Sequence, residues 1–70
     1  MKRILIIEDD DNLSRGIAFS FEKDGYSVIR ASTIKAGQSS YENDNIDIVI
    51  IDLGLPDGNG MELCRYIQEK

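Results

Sequence analysis

Ile46-Asp47-Ile48-Val49-Ile50-Ile51-Asp52-Leu53-Gly54-Leu55-Pro56-Asp57-Gly58-Asn59-Gly60 is the stretch on which the rest of the chain turns. Four consecutive apolar residues, Ile48 to Ile51, predict a strand buried on both faces, as in a parallel sheet covered by helices. Such sheets place their chemistry at the carboxyl ends of the strands. Asp52 stands at that end. The plainer role for an aspartate there is to terminate the strand. The loop that follows is built of turn formers: Pro56 fixes its own φ and holds Leu55 extended, and Asp57-Gly58 and Asn59-Gly60 are successive turn dipeptides. Asp57 reads as a turn residue. Met61 to Lys70 then predicts a helix, with Leu63 and Ile67 at i and i+4.

Outward from this stretch, the same pattern recurs near the start. Ile4-Leu5-Ile6-Ile7 is a second continuously apolar strand, and it runs into four carboxylates, Glu8-Asp9-Asp10-Asp11. Solvation and a helix N-terminus account for Asp10 and Asp11, and Asp11 or Asn12 is placed to cap the next helix. Glu8 and Asp9 sit where Asp52 sits, at a strand's carboxyl end. Leu13 to Asp24 predicts a helix with a core stripe of Leu13, Ile17 and Phe21, widened by Ala18. Its wet face is Ser14, Arg15, Glu22 and Lys23, and Phe19 reads as a flanking packing residue. Gly25 is its C′ residue. Tyr26 to Ala31 predicts a third strand, whose Ser27 and Arg30 suit a sheet edge. Ser32 or Thr33 caps a weaker helix to about Tyr41, since Gly37, Ser39 and Ser40 have poor propensity. Glu42 to Asn45 is a polar turn into the strand beginning at Ile46.

The order strand, helix, strand, helix, strand, helix implies an α/β fold: three βα units, a parallel sheet and the strand order 2-1-3. That order sets the strands beginning at Ile4 and Ile46 side by side and converges Glu8, Asp9 and Asp52. Carboxylates at ~4 Å repel by roughly 1 kcal/mol in bulk water and about 4 kcal/mol at an effective dielectric of 20. They must protonate, spread apart or bind a cation. Mg²⁺ suits such oxygen ligands and keeps coordination positions for phosphoryl oxygens. A carboxylate is also a nucleophile that forms an aspartyl phosphate. The division expected is Asp52 as nucleophile, Asp9 as metal ligand, Glu8 holding a metal-bound water, and the Gly54 carbonyl as a further ligand.

Composition narrows the function classes. Seventy residues allow one small domain. Eight basic against thirteen acidic residues, a net charge of −5, argue against direct nucleic-acid contact by this segment. The absence of His removes triads and most zinc sites. The single cysteine, Cys64, forms no internal disulfide and reads as a reduced, partly buried filler. No apolar run approaches the ~20 residues of a membrane span, and Ile4 to Ile7 is too short for a signal-peptide core. A cytoplasmic protein is expected.

Ile4-Leu5-Ile6-Ile7-Glu8-Asp9-Asp10 and Asp52-Leu53-Gly54-Leu55-Pro56-Asp57-Gly58-Asn59-Gly60 resemble the two acidic motifs of bacterial response-regulator receiver domains. The proline four residues and the glycine eight residues after the aspartate match that pattern, as does Met61 to Ile67. The wording of Asp52 to Ile67 is most similar to receivers of winged-helix transcriptional regulators. The resemblance implies a flavodoxin-like (CheY-like) doubly wound parallel sheet. It also implies Mg²⁺-dependent transfer of a phosphoryl group from a sensor histidine kinase to Asp52, with Glu8 and Asp9 as the acidic pocket and Gly54 lending its carbonyl. The module is then not an enzyme in its own right. The family fold has five strands, with a Ser or Thr after the fourth and a Lys after the fifth. This chain supplies three strands, so residues 1–70 are read as the N-terminal part of a receiver without an output domain. Gly54 stands where the family usually has Met. The Ile46 strand becomes an apolar edge, and a homo-oligomer through that edge or by element exchange is expected.

Competing readings fit less of the chain. A pseudo-receiver or assembly module would use the fold for protein contacts alone. Haloacid-dehalogenase-type phosphatases match Asp9-Asp10-Asp11 only superficially, since Asn12-Leu13 stands where they want Thr or Val. Topoisomerase-primase-type sites want a second acid at position 54. A dinucleotide-binding unit wants a glycine-rich turn after Ile7, where four acids repel phosphates.

Overall fold

A computed structural model describes residues 2–51 together with residues 65 and 67. The elements are β1 (Arg3–Ile7), α1 (Asp11–Lys23), β2 (Ser27–Ala31), α2 (Ile34–Asn43) and β3 (Ile48–Ile51). All strands are parallel in the order β2-β1-β3, as the alternation of elements predicts. Asp47 fastens the start of β3 to the start of β1: its N–H donates to the Arg3 carbonyl at 2.9 Å, and its Oδ2 accepts from the Arg3 N–H at 2.8 Å. The register Ile4↔Ile48 to Ile7↔Ile51 follows from that clamp.

Burial on both faces belongs to β1. Ile4, Leu5, Ile6 and Ile7 are all fully buried, because β1 has a strand on either side and apolar side chains above and below. Alternation along the strand divides them. Ile4 and Ile6 pack with Ala18 of α1, joined by Ile17, Phe21 and Val28. Leu5 and Ile7 pack with Ala31, joined by Ile34 and Tyr41 of α2. The expectation that Ile48 to Ile51 is buried on both faces is corrected: Ile48 is 38% exposed and the other three are half-buried. Among the described strands β3 lies at the sheet's edge. Arg65 and Ile67 are helical, as expected of the last segment, and Ile67 packs against the Leu5 cluster. The remaining residues of that helix, with Leu63 and Cys64, lie outside the described residues.

Three helix ends show how local sequence sets the chain's path. Asp10, not Asp11 or Asn12, caps α1, its Oδ1 accepting from the Leu13 N–H at 3.2 Å. At the other end Gly25 takes φ +95°, the left-handed region open to glycine. There Gly25 N–H donates to the Glu22 carbonyl and Tyr26 N–H to the Phe21 carbonyl, at 3.0 and 3.1 Å. This is a Schellman closure, and the edge-to-face contact of Phe21 with Tyr26 at 5.6 Å seals it. Thr33 caps α2 through its Oγ1, which accepts from Ala36 N–H. That helix runs through Asn43, two residues past the expected end.

The face that α1 buries is also corrected. Ser14 and Ala18 are buried, whereas Leu13 is 51% and Phe19 67% exposed. The helix is turned so that positions 14, 17, 18 and 21 meet the sheet. Ile17, Ala18 and Phe21 are shared between this stripe and the expected one, which is why the spacing alone did not separate them.

Candidate functional site

The carboxyl end of β1 opens into the acidic run, and each of the four acids has a different surrounding. Glu8 extends the ladder by one bond, its N–H donating to the Ala31 carbonyl at 3.0 Å. The chain then turns, and Glu8 Oε1 accepts from Asp10 N–H at 3.0 Å. Asp10 spends its side chain on the helix cap. Asp11 has both carboxylate oxygens engaged: Oδ2 by Arg15 Nε at 2.9 Å and Oδ1 by Arg30 Nη1 at 3.1 Å. Asp9 is exposed and, among the described residues, makes no hydrogen bond or ion pair. It is therefore the acid in the run with no partner among the described residues.

An open cleft of about 230 Å³ lies over this end of the sheet, lined by Glu8, Asp9, Asp11, Ser14, Arg30 and Ser32. Two of the expected site residues, Glu8 and Asp9, are brought to it together. Asp52 and Gly54 lie outside the described residues. What is described is the geometry leading to them: Ile7 and Ile51, the last residues of β1 and β3, are register partners. Among the described residues no three His, Cys, Asp or Glu side chains form a group able to hold a metal ion. The donor set still suits Mg²⁺, since Glu8 and Asp9 offer hard oxygens only and such an ion takes one or two carboxylates.

Arg30 is the residue at this site that sequence reasoning missed. On the chain it is a polar interruption in an edge strand. In the fold, β2 pairs with β1 in the register Ile6↔Arg30, which carries its guanidinium to the first turn of α1. Nothing in local spacing signals a pair nineteen residues apart. Ser32, a candidate cap, lines the cleft instead, and Ser14, assigned to the wet face, lies beneath it.

Comparison with known proteins agrees with this geometry. The family model described as the response regulator receiver domain matches residues 4–70. Response regulator ArlR of Staphylococcus haemolyticus (strain JCSC1435) is 39% identical over 70 residues, covering 100% of this chain and 32% of that protein. The KDP operon transcriptional regulatory protein KdpE of Escherichia coli (strain K12) is 36% identical, covering 99% of this chain and 31% of that protein. The chain thus spans about a third of the length of the curated relatives it matches. Among solved structures, response regulator TrrA of Thermotoga maritima, in complex with Mg²⁺-BeF, superposes with a TM-score of 0.94. It is 28% identical, with 99% of this chain and 60% of that chain covered. TrrA in complex with histidine kinase ThkA superposes with a TM-score of 0.93 at the same identity, over 100% of this chain and 60% of that one. No helix among the described residues is long and apolar enough to cross a membrane. With three parallel strands in the order 2-1-3, acids at the carboxyl end of β1 and a family match over residues 4–70, this chain belongs to the response regulator receiver domain family.

Proposed function

We propose that this chain is the N-terminal portion of a phosphoacceptor receiver that passes a two-component signal to transcription. In this reading a carboxylate oxygen of Asp52 attacks the phosphorus of a phosphohistidine on a sensor histidine kinase. The P–O bond forms as the P–N bond breaks, and the released electron pair and a proton end on the imidazole nitrogen. Glu8, Asp9, Asp52 and the Gly54 carbonyl would hold Mg²⁺, which supplies charge neutralisation at the phosphoryl oxygens. Asp9 would provide a carboxylate oxygen to the ion directly, and Glu8 would act on it through a water. The chain's part is to position and to neutralise; it is a signalling module that takes one phosphoryl group, not an enzyme with a separate substrate.

The observation that carries this reading is the exposed Asp9, without a partner among the described residues, beside Glu8 at the carboxyl end of β1. Support for the ion and the kinase comes from TrrA, solved with Mg²⁺-BeF and with ThkA. A cytoplasmic location suits such a kinase partner. The output to DNA would belong to other parts of a longer protein, since a segment of net charge −5 is ill suited to bind phosphates itself. The half-buried β3, bonded to β1 on one side, also favours pairing with a second copy.

The test is a Mg²⁺ titration followed by amide NMR shifts, in the parent and in Asp9→Asn and Asp52→Asn variants. Saturable shifts at Glu8 to Asp10 and at Asp52 to Gly54 are expected. Each variant should weaken binding about ten-fold, the equivalent of roughly 1.4 kcal/mol. Incubation with a small phosphodonor should then add one phosphoryl group to the parent and none to Asp52→Asn, read by intact mass. Parent and Asp52→Asn behaving alike in both measurements would remove the phosphoacceptor reading.

A further inference from the structure

We infer that the ion pair between Arg30 and Asp11 is a positioning device that withholds Asp11 from the acidic site and so sets its affinity for a divalent cation. The inference rests on the cation-binding reading above and adds residues that the reading does not use. Four consecutive carboxylates could all crowd one ion. Instead Asp10 is committed to the helix cap, and Asp11 is held by one arginine on each oxygen. Arg15 comes from the same helix turn, an ordinary i,i+4 pair. Arg30 comes from β2, and it lines the same cleft as Glu8 and Asp9. Its cationic group thus lines the cleft on the β2 side, within 3.1 Å of Asp11. It ties the Asp11 carboxylate to β2 and adds a positive charge that opposes any cation approaching Glu8 and Asp9. Both effects lower affinity, and they leave Asp9 as the acid of the run without a partner among the described residues.

A surface ion pair whose only role is to tie β2 to α1 makes a different prediction from this one. Arg30→Gln and Asp11→Asn break the same pair, so a structural role shifts both variants alike. The positioning role shifts them in opposite directions. Arg30→Gln removes the opposing charge and frees an oxygen, so Mg²⁺ should bind about two- to four-fold more tightly. That range is what a unit charge exerts on a divalent ion across roughly 10 Å of screened water. Asp11→Asn leaves the Arg30 charge unbalanced and should weaken Mg²⁺ by a similar factor. The double variant should return close to the parent, and Arg30→Lys, which keeps the charge, should stay near it. Lys23→Gln, about 18 Å along α1 from Asp11 and beyond a Debye length, is the control for net charge alone.

The experiment is the same NMR-detected Mg²⁺ titration, fitted for the dissociation constant of each variant at fixed ionic strength. Opposite shifts in the two single variants that cancel in the double support the inference. Shifts of the same sign, or shifts no larger than that of Lys23→Gln, overturn it while leaving the acidic site standing, provided the parent still responds at Glu8 and Asp9. A parent with no such response overturns the cation-binding reading and this inference together.

Discussion

Among the described residues the Ser14 hydroxyl has no bonding partner, and the residue is 2% exposed. A buried, unpaired polar group costs about 1–3 kcal/mol relative to its solvated state. Alanine removes the oxygen and leaves a void no larger than one atom. Ser14→Ala is therefore expected to raise stability by about 1 kcal/mol, read as a higher urea midpoint at unchanged m. A lowered midpoint would mean that the hydroxyl has a partner, such as an ordered water. At the same scale, the acids of the Glu8 to Asp11 run are told apart by partners and not by type. Asp9 differs from its neighbours only in having none among the described residues.

At the scale of elements, α2 shows why a residue that weakens a helix is kept in one. Gly37 is buried against β1, and a Cβ added to it would meet the Ile7 side chain, with Cγ1 at 2.7 Å. Ile7 is fully buried and cannot swing away. Gly37→Ala gains about 1 kcal/mol of helix propensity but overpacks the core by about 1–3 kcal/mol. A net loss of about 1 kcal/mol is expected, read from the denaturant midpoint followed by circular dichroism. The poor propensity of Gly37, Ser39 and Ser40 is a sound local reading. The helix forms through Asn43 because other contacts outweigh it. Thr33 caps its start, Ile34 and Tyr41 join the core cluster, and Asn43 Nδ2 donates to the Ser39 carbonyl at 2.9 Å.

At the scale of the whole molecule, β3, the edge on one side of the described strands, is where a second copy is expected to pair. It is hydrogen-bonded to β1, and Ile48 is 38% exposed. An apolar strand at a sheet edge is a template for another strand. The net charge of −5 opposes that pairing between like copies, and salt screens the opposition. The mass measured by light scattering at micromolar concentration is thus expected to exceed the monomer's and to rise with ionic strength. A monomeric mass at both low and high salt would exclude pairing through this edge.

What the sequence determined by itself is the part governed by local chemistry. Continuous apolar runs mark β1 and β3, the alternation of strands and helices leads to the order β2-β1-β3, and Gly25 ends α1. Glu8 and Asp9 are legible as candidate site residues because a strand's carboxyl end is a position along the chain. The tertiary structure alone decided which strand is buried on both faces, which side of α1 meets the sheet, and which acid is bound by Arg30. Each of these depends on register and on rotation between elements far apart in sequence. A stripe through Leu13 and one through Ser14 differ by a single residue, and nothing local distinguishes them. The choice is made when α1 settles against Ile4 and Ile6.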